Sequence, residues 1–347
     1  MNGAPLPRSE ITIDLGALRR NVARLREASG PAEVWAVLKA DAYGHGATEC
    51  ARAALDAGAS ALCVATVREG VALRDAFRGA RILVMSPLEA GDDATARGAG
   101  LEIAVSTPEL PGGLPVHVKV DTGMGRFGMA PEDALSLPRE SVVGLMSHLA
   151  TADETDETFA RGQIERFRSL VSEFPGVTAH LANSAAALRF PEARFDAVRC
   201  GVALYGLSPF GDDPSRHGLE PVLTWRSYVA LVKTLGPGAS TGYGRRFRAE
   251  RPARIGIVPV GYGDGFRRGL TGTHVRVGER RRRVVGTISM DSFAVELDDE
   301  IVGAPVTLVG ENVLAEEHAA RLGTINYEIT CGIKRDPTRS EVVIVGG

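Results

Sequence analysis

Lysine is scarce in this sequence, which draws attention to each position where it occurs. Only four of the 40 basic residues are lysines, and they are Lys39, Lys119, Lys233 and Lys334. A lysine amine can lose its proton and form a Schiff base with an aldehyde, whereas a guanidinium stays charged. Lys39 follows an apolar run and precedes Tyr43 in a glycine-containing loop. Burial there would lower the pKa of the amine and make it a nucleophile.

Other polar or ionisable residues also stand at or just after the ends of apolar runs. If these runs are parallel strands of one barrel, the residues lie together at the C-terminal rim, where such barrels hold their active sites. Each has a structural alternative, such as a helix N-cap for Ser184 or a rim ion pair for Arg199. Their convergence favours a catalytic site. The residues are Lys119, His148, Asn183, Ser184 and Arg199.

Eight short apolar runs supply the strands for such a barrel, and stretches of helical periodicity separate most of them, as at 47–58, 67–77 and 157–174. Residues 107–115 are too few and too rich in Pro and Gly for a helix, so the fourth repeat is predicted to be irregular. The count favours an α/β fold with a (β/α)8 TIM-type barrel over a doubly wound open sheet. The predicted strands are 34–39, 61–65, 81–85, 101–105, 116–120, 142–147, 178–181 and 197–200.

The pattern changes near residue 223, after which strand-like runs alternate with Gly, Pro and charged turns, and a single helix is predicted at 314–322. We therefore predict two domains. The (β/α)8 barrel comprises residues 10–220, and a C-terminal mostly-β domain comprises residues 221–347 together with residues 1–9. The predicted strands of the second domain are 227–235, 255–260, 274–277, 283–288, 293–297 and 305–309.

Composition and charge exclude several classes of protein. The chain has 347 residues, of which 44% are hydrophobic, unlike disordered, collagen-like or small disulfide-rich proteins. Its formal net charge of -3 gives no reason to expect nucleic acid or an anionic membrane as a partner. No apolar stretch approaches the roughly 20 residues that span a bilayer, and the four cysteines lack metal-ligand spacing. We expect a cytoplasmic protein without a metal site.

Ordered sequence blocks cover nearly the whole chain. They are V-L-K-A-D-A-Y-G-H-G at 37–46, H-V-K-V-D-T-G-M-G-R-F-G at 117–128, S-H-L-A-T-A-D at 147–153, R-C-G-V-A-L-Y-G at 199–206, T-G-Y-G at 241–244, G-Y-G-D-G at 261–265, G-T-I-S-M-D at 286–291 and T-I-N-Y-E at 324–328. Together these blocks resemble the alanine racemases, fold-type III enzymes that use pyridoxal 5′-phosphate (PLP). One block alone would be weak evidence, whereas an ordered set is specific. The resemblance implies interconversion of L- and D-alanine, with D-alanine supplied for peptidoglycan.

The resemblance also implies how the cofactor is held. Lys39 binds PLP covalently, and Arg199 faces the pyridine nitrogen. Because a guanidinium does not release its proton, the pyridine nitrogen stays unprotonated. PLP then takes up the negative charge of a deprotonated Cα. The groups implied for its phosphate are the hydroxyls of Tyr43, Ser184 and Tyr327 and the backbone N–H groups near Gly201 and Val202.

For the reaction itself, the resemblance implies a two-base mechanism. Lys39 serves one face of the substrate and Tyr243 the other, with His148, hydrogen-bonded to Arg199, supporting the phenol. The remaining implied roles concern the substrate and the assembly. Arg126 contacts the phenolic oxygen of PLP and helps to position the substrate carboxylate. Lys119 resembles a lysine that is often carbamylated and orients that arginine. Met290 and Asp291 bind the substrate at the entrance of the site. Both residues and Tyr243 act from the partner subunit, which implies a homodimer with shared active sites.

Other interpretations stay open on the sequence alone. A fold-type III decarboxylase shares the barrel, the β-domain and the PLP lysine, and a PLP-binding carrier needs only the barrel. A racemase with broader specificity for serine or lysine differs by few pocket atoms. The segment Gly123–Gly128 satisfies G-x-G-x-x-G, but the following strand ends in Ser147 and His148 rather than in an acidic residue, which excludes a dinucleotide site.

Overall fold

The computed structural model describes residues 7–310 and 312–347, and the chain divides into two compact units. One unit comprises Leu18–Phe210 and Ser215–Glu220, and the other comprises the described residues up to Ala17, Gly211–Pro214 and Pro221–Gly347. The predicted domain boundary differs from the observed one at the first strand, β1 (Glu10–Asp14), which is predicted to belong to the barrel but lies in the second unit. This strand pairs with residues 223–226 and 341–345 of the second unit, a long-range pairing that leaves no local signal. Residues 1–6 of the predicted assignment lie outside the described residues.

A closed barrel of eight parallel strands forms the centre of the first unit, and its last strand pairs with its first from Glu33↔Ala197 to Ala36↔Cys200. The predicted (β/α)8 fold is confirmed, and every predicted barrel strand is present with its ends within two residues. The strands are β2 (Glu33–Val37), β3 (Ala61–Val64), β4 (Arg81–Val84), β5 (Glu102–Val105), β6 (Val116–Lys119), β7 (Val142–Met146), β8 (Thr178–His180) and β9 (Ala197–Cys200).

Helices connect most of these strands. Residues 106–115, between β5 and β6, contain no helix, which confirms the irregular fourth repeat. None of the helices in the described part of the chain is long and apolar enough to cross a bilayer. The helices of this part of the chain are α1 (Leu15–Ser29), α2 (Lys39–Gly44), α3 (Ala47–Asp56), α4 (Val67–Arg74), α5 (Asp92–Gly98), α6 (Pro131–Ser136), α7 (Thr158–Val171) and α8 (Ser184–Arg189).

The second unit is mostly β, as predicted, and contains a nine-stranded sheet. The single predicted strand 227–235 is wrong, because the chain forms two strands there, β10 (Leu223–Tyr228) and β11 (Leu231–Leu235). The apolar run continues through the two-residue break at residues 229–230 without Gly or Pro to mark it. The other elements are β12 (Ser240–Thr241), β13 (Phe247–Arg248), β14 (Ala253–Val258), β15 (His274–Val277), β16 (Arg280–Val285), β17 (Phe293–Leu297), β18 (Pro305–Val309), β19 (Glu341–Val345), α9 (Ala315–Leu322) and α10 (Asn326–Cys331).

Candidate active site

Helix α2 follows β2, begins at Lys39 and has a strained, left-handed backbone. Residues 40–43 all have positive φ, between 51° and 55°, and none is glycine. Left-handed geometry costs about 1–2 kcal/mol for each non-glycine residue, so the surrounding structure must hold it. The N–H of Ala40 donates to Glu69 Oε1 and that of Ala47 to Asp41 Oδ1, each at 2.8 Å. Strain held directly after Lys39 is typical of a functional constraint.

Hydroxyl and N–H groups gather at the ends of β8 and β9. A Cβ on Gly201 would collide with the Tyr43 hydroxyl, so the space beside that hydroxyl exists only because residue 201 has no side chain. The Gly201 N–H donates to Ser184 Oγ at 3.0 Å. Val202 opens a 3-10 helix, Val202–Tyr205, and its N–H therefore has no intrahelical acceptor. The hydroxyls of Tyr43 and Ser184 and the Val202 N–H suit a phosphate, whereas the Gly201 N–H is already bound to Ser184.

The helix N-cap alternative for Ser184 is wrong. Asn183 caps α8, because its Oδ1 accepts from the N–H of Ala186 at 3.0 Å. The Ser184 side chain, which is buried, instead links α8 to β9 through its contact with Gly201. Its position at the start of α8 thus aims the hydroxyl toward the backbone that follows the last barrel strand.

Arg199 on β9 is 3% exposed and is held by acceptors at both terminal nitrogens. Nη1 donates to the O and Nδ1 of His180 at 2.7 and 2.8 Å. Nη2 donates to the Ser147 O at 2.7 Å and lies 3.3 Å from His148 Nδ1. Burial lowers the pKa of Arg199 to about 10, which still leaves it charged at neutral pH. Nε makes no hydrogen bond to a described residue, so this donor remains available to a ligand.

His148 follows β7 and is surrounded by cations. Burial lowers its pKa well below the ordinary value, and the charges of Arg199, Arg126, Lys119 and Lys39 lower the pKa further. The imidazole is therefore neutral at neutral pH. Because a guanidinium only donates, His148 Nδ1 is the acceptor and its proton lies on Nε2. The structure thus brings these five predicted residues within electrostatic range of one another.

Lys119 ends β6 and is 6% exposed. Burial lowers its pKa to about 8, and the cations of Arg199, Arg126 and Lys39 add to the decrease. Its Nζ lies 5.2 Å from the centre of the Phe127 ring and makes no hydrogen bond to any of the residues described. An amine in this setting is far more often neutral at neutral pH than an ordinary lysine.

Arg126 stands at the tip of a loop built on one carboxylate. Asp121 Oδ1 accepts the N–H groups of Gly123 and Met124 at 2.8 Å each. Gly128 has a φ of 128°, and a Cβ there would meet the backbone of Asp121 at 2.6 Å. This loop therefore holds Arg126 exposed next to Lys119, where it can bind an anion.

The other predicted site residues belong to the second unit. Tyr243 is 72% exposed and Met290 is 52% exposed. The Tyr243 backbone O accepts from Thr287 Oγ1 at 2.7 Å, and Asp291 Oδ1 accepts from Arg339 Nη2 at 2.7 Å. The fourth residue, Tyr327, is partly buried on α10. Tyr243 and Met290 are thus presented at the surface of their unit by an ordered framework.

Sequence reasoning missed a set of buried polar residues inside the barrel. His180 contacts Arg199 directly, and His117 and Glu102 continue from it. Barrel interiors are usually filled by branched apolar side chains. A carboxylate or an imidazole within a short, otherwise apolar strand could therefore have indicated these buried polar residues from the sequence.

The family profile described as alanine racemase, N-terminal domain, matches residues 13–209, and the profile described as alanine racemase, C-terminal domain, matches residues 222–341. Alanine racemase 1 of Bacillus subtilis is 40% identical over 348 residues, covering 92% of this chain and 90% of that protein. Alanine racemase of Mycolicibacterium smegmatis is 40% identical over 372 residues, covering 97% and 95%.

Solved structures give the same result. The alanine racemase of D-cycloserine-producing Streptomyces lavendulae is similar with a TM-score of 0.91 and 35% identity, covering 99% of this chain and 98% of that chain. The structure of alanine racemase from Bartonella henselae with covalently bound pyridoxal phosphate is similar with a TM-score of 0.89 and 25% identity, covering 99% and 100%.

Proposed function

The chain belongs to the alanine racemase family, and from this premise we propose that it binds PLP in the barrel and interconverts L- and D-alanine. Lys39 and Tyr243 each transfer a proton on one face of the substrate Cα. The enzyme acts in the cytoplasm as a homodimer with shared active sites and supplies D-alanine for peptidoglycan.

The observation that carries this proposal is the state of Arg199. It is a buried, charged guanidinium with both terminal nitrogens bound by the protein and with Nε as its remaining donor, which suits the pyridine nitrogen of PLP. The hydroxyls of Tyr43 and Ser184 and the N–H of Val202 suit the phosphate. When bound, PLP supplies an electron sink for the negative charge of the deprotonated Cα.

The chain's own groups bind the substrate and hold its protons. Lys39 holds the proton on one face with Nζ, and Tyr243 holds the proton on the other face with its hydroxyl. A phenol has an ordinary pKa of about 10, so its anion must be stabilised. The Nε2–H of His148 is the donor for that purpose, because Nδ1 accepts from Arg199. Arg126 binds the substrate carboxylate, and Met290 and Asp291 line the entrance.

The exposed position of the Tyr243 side chain supports the proposal that its hydroxyl acts in the active site of a second copy of the chain. If each active site combines Lys39 of one subunit with Tyr243 of the other, the variants Lys39→Ala and Tyr243→Phe complement each other. Each hybrid dimer then contains one intact site, so an equimolar mixture regains up to about a quarter of wild-type activity. The measurement is racemase activity after joint unfolding and refolding. If mass measurement of the intact dimers shows that hybrids have formed and these hybrids are inactive, the proposal of shared active sites is contradicted.

Lys119 is proposed to carry a carbamate. Its amine, with a pKa of about 8, adds to CO2 with release of one proton, and the anion formed relieves the repulsion among Arg126, Arg199 and Lys39. We expect a carbamate signal in the 13C spectrum of protein supplied with 13C-bicarbonate. The signal is lost in Lys119→Gln and retained in the control Lys233→Gln. A wild-type spectrum without the signal would overturn this proposal.

The function is tested by incubating the purified protein and PLP with L-alanine and separating the products by chiral chromatography. Formation of D-alanine supports the proposal. Parallel incubations with serine and lysine compare their rates of racemisation with that of alanine and so test for a racemase of broader specificity. Release of CO2 from a basic amino acid would indicate the decarboxylase. Bound PLP without any product would favour the carrier.

A further inference from the structure

A chain of hydrogen bonds between buried side chains runs through the barrel interior and ends at Arg199. Arg199 Nη1 contacts His180 Nδ1 at 2.8 Å, and His180 Nε2 contacts His117 Nδ1 at 2.8 Å. His117 Nε2 in turn contacts Glu102 Oε2 at 2.8 Å. His117 and His180 are both 0% exposed, so the protein itself supplies their partners. We call these four residues, Arg199, His180, His117 and Glu102, the barrel chain.

Arg199 and Glu102, at the two ends of the barrel chain, require the same order of protons. A guanidinium only donates, so His180 Nδ1 accepts and the His180 proton lies on Nε2. That N–H donates to His117 Nδ1, which leaves the His117 proton on Nε2 to be donated to the Glu102 carboxylate. Burial lowers the pKa of both imidazoles, although Glu102 partly opposes the decrease at His117. Both rings are therefore neutral at neutral pH, and every N–H in the barrel chain points toward Glu102.

Other strands are shaped to hold these rings. The Trp35 ring of β2 packs against His117 and His180, with ring centroids 5.8 and 4.5 Å apart. A Cβ on Gly144 of β7 would overlap the His117 ring, so the ring occupies space that only glycine leaves. Five strands thus fix the two imidazoles in place, counting those that carry His117, His180 and Arg199.

The far end of the barrel chain is anchored by charge. Glu102 is the first residue of β5, and it accepts from Arg81, the first residue of β4, through Nε at 2.9 Å and Nη2 at 3.0 Å. These residues therefore lie at the N-terminal end of the barrel, whereas Arg199 faces the C-terminal rim. Burial would raise the pKa of Glu102, but the hydrogen bonds from His117 and Arg81 lower it to about 2. A permanent negative charge thus ends the barrel chain.

We propose that Glu102 is a positioning residue for Arg199, acting through His117 and His180. Its carboxylate sets the direction of the protons, and that direction leaves His180 Nδ1 able to accept from Arg199. With Nη1 and Nη2 held by the protein, Nε is the donor of Arg199 that would bind the cofactor. The catalytic consequence rests on the proposed function, whereas the proton order is a property of the full-length protein without cofactor.

The first test is the proton order of the wild-type protein. The chain contains seven histidines, so long-range 1H–15N spectra of protein labelled with 15N-histidine are simple enough to assign by single replacements. We expect His117 and His180 to be protonated on Nε2 alone. A proton on Nδ1 of either ring, or double protonation at neutral pH, would overturn the proposal even if no variant folds.

The second test is the variant Glu102→Gln. A primary amide presents either its oxygen or its N–H to His117. This end of the barrel chain then no longer excludes the reversed order, in which Arg199 loses His180 Nδ1 as an acceptor, and a second set of ring signals appears for His117 and His180. Because a misplacement of about 1 Å can cost on the order of 100-fold in rate, kcat falls by about tenfold or more. The matched control is Glu220→Gln, since Glu220 pairs with Arg20 on the surface of the same unit. This control keeps both the wild-type spectrum and the wild-type kcat.

Changed ring signals with an unchanged kcat would show that the barrel chain does not position Arg199 for catalysis. An unchanged spectrum with a lower kcat would show that proton order does not transmit the effect. Either result overturns the proposal. If the wild-type protein shows the expected proton order but does not racemise alanine, the proposed function is contradicted, whereas the proton order inferred for the barrel chain is supported.

Discussion

Replacement of Lys39 by alanine is expected to abolish racemisation in both directions and covalent binding of PLP. The change removes the amine that attaches the cofactor and, with it, the proton-transferring group on one face of the substrate. Removal of a catalytic group of this kind costs on the order of 1000-fold or more in kcat. Activity from L- and from D-alanine is measured by chiral chromatography, and attachment by intact mass after borohydride reduction.

The matched control for this variant is Lys233→Ala. Lys233 is an exposed lysine on β11, so its replacement tests whether the loss of any one lysine charge affects activity. We expect the control to keep full activity and to gain the mass of reduced PLP as the wild-type protein does. Covalent PLP in Lys39→Ala, or racemisation at the wild-type rate, would show that Lys39 is not the cofactor lysine.

Replacement of Tyr243 by phenylalanine is expected to leave PLP bound while lowering racemisation by on the order of 1000-fold. Only the hydroxyl is lost, so the loop that presents residue 243 keeps its contact from Thr287 to the backbone. Both directions fall equally, because the two enantiomers have equal free energy. The asymmetry appears in solvent exchange, since Lys39 still removes the Cα proton from one enantiomer.

Exchange is measured as deuterium uptake at Cα in D2O, starting separately from L- and D-alanine. In Tyr243→Phe, uptake persists for one enantiomer without inversion and is lost for the other. Tyr228→Phe is the control, since Tyr228 is a partly buried tyrosine of the same unit, and it should behave as the wild type. Retained racemisation in Tyr243→Phe would remove the phenol from the mechanism.

The barrel strands were predictable because parallel strands are buried on both faces and appear as continuous apolar runs. The same signal failed at residues 227–235, where an apolar run continues through a two-residue break into a second strand. Two strands, β12 and β13, have two residues each and are too short for any periodicity. Strand β19 and helix α10 were not predicted either.

The site residues at the rim were predictable from their types and from the resemblance, but their support was not. Nothing in Ala-Asp-Ala-Tyr indicates a left-handed backbone, since these residues carry side chains that oppose it. Glu69 holds Ala40 across 29 positions, and the barrel chain joins Glu102 to His180 across 78 positions. Such contacts arise from barrel closure, which a local pattern does not encode.

The most direct test of the two-group account is racemisation of L-alanine in D2O, stopped after a small fraction has reacted. Lys39 and Tyr243 act on opposite faces and exchange their protons with solvent, so a proton removed from one face is not the one returned to the other. We predict that nearly all D-alanine formed carries one deuterium at Cα. D-alanine that retains the original protium would contradict the account, because a single group would then have carried the proton between the faces.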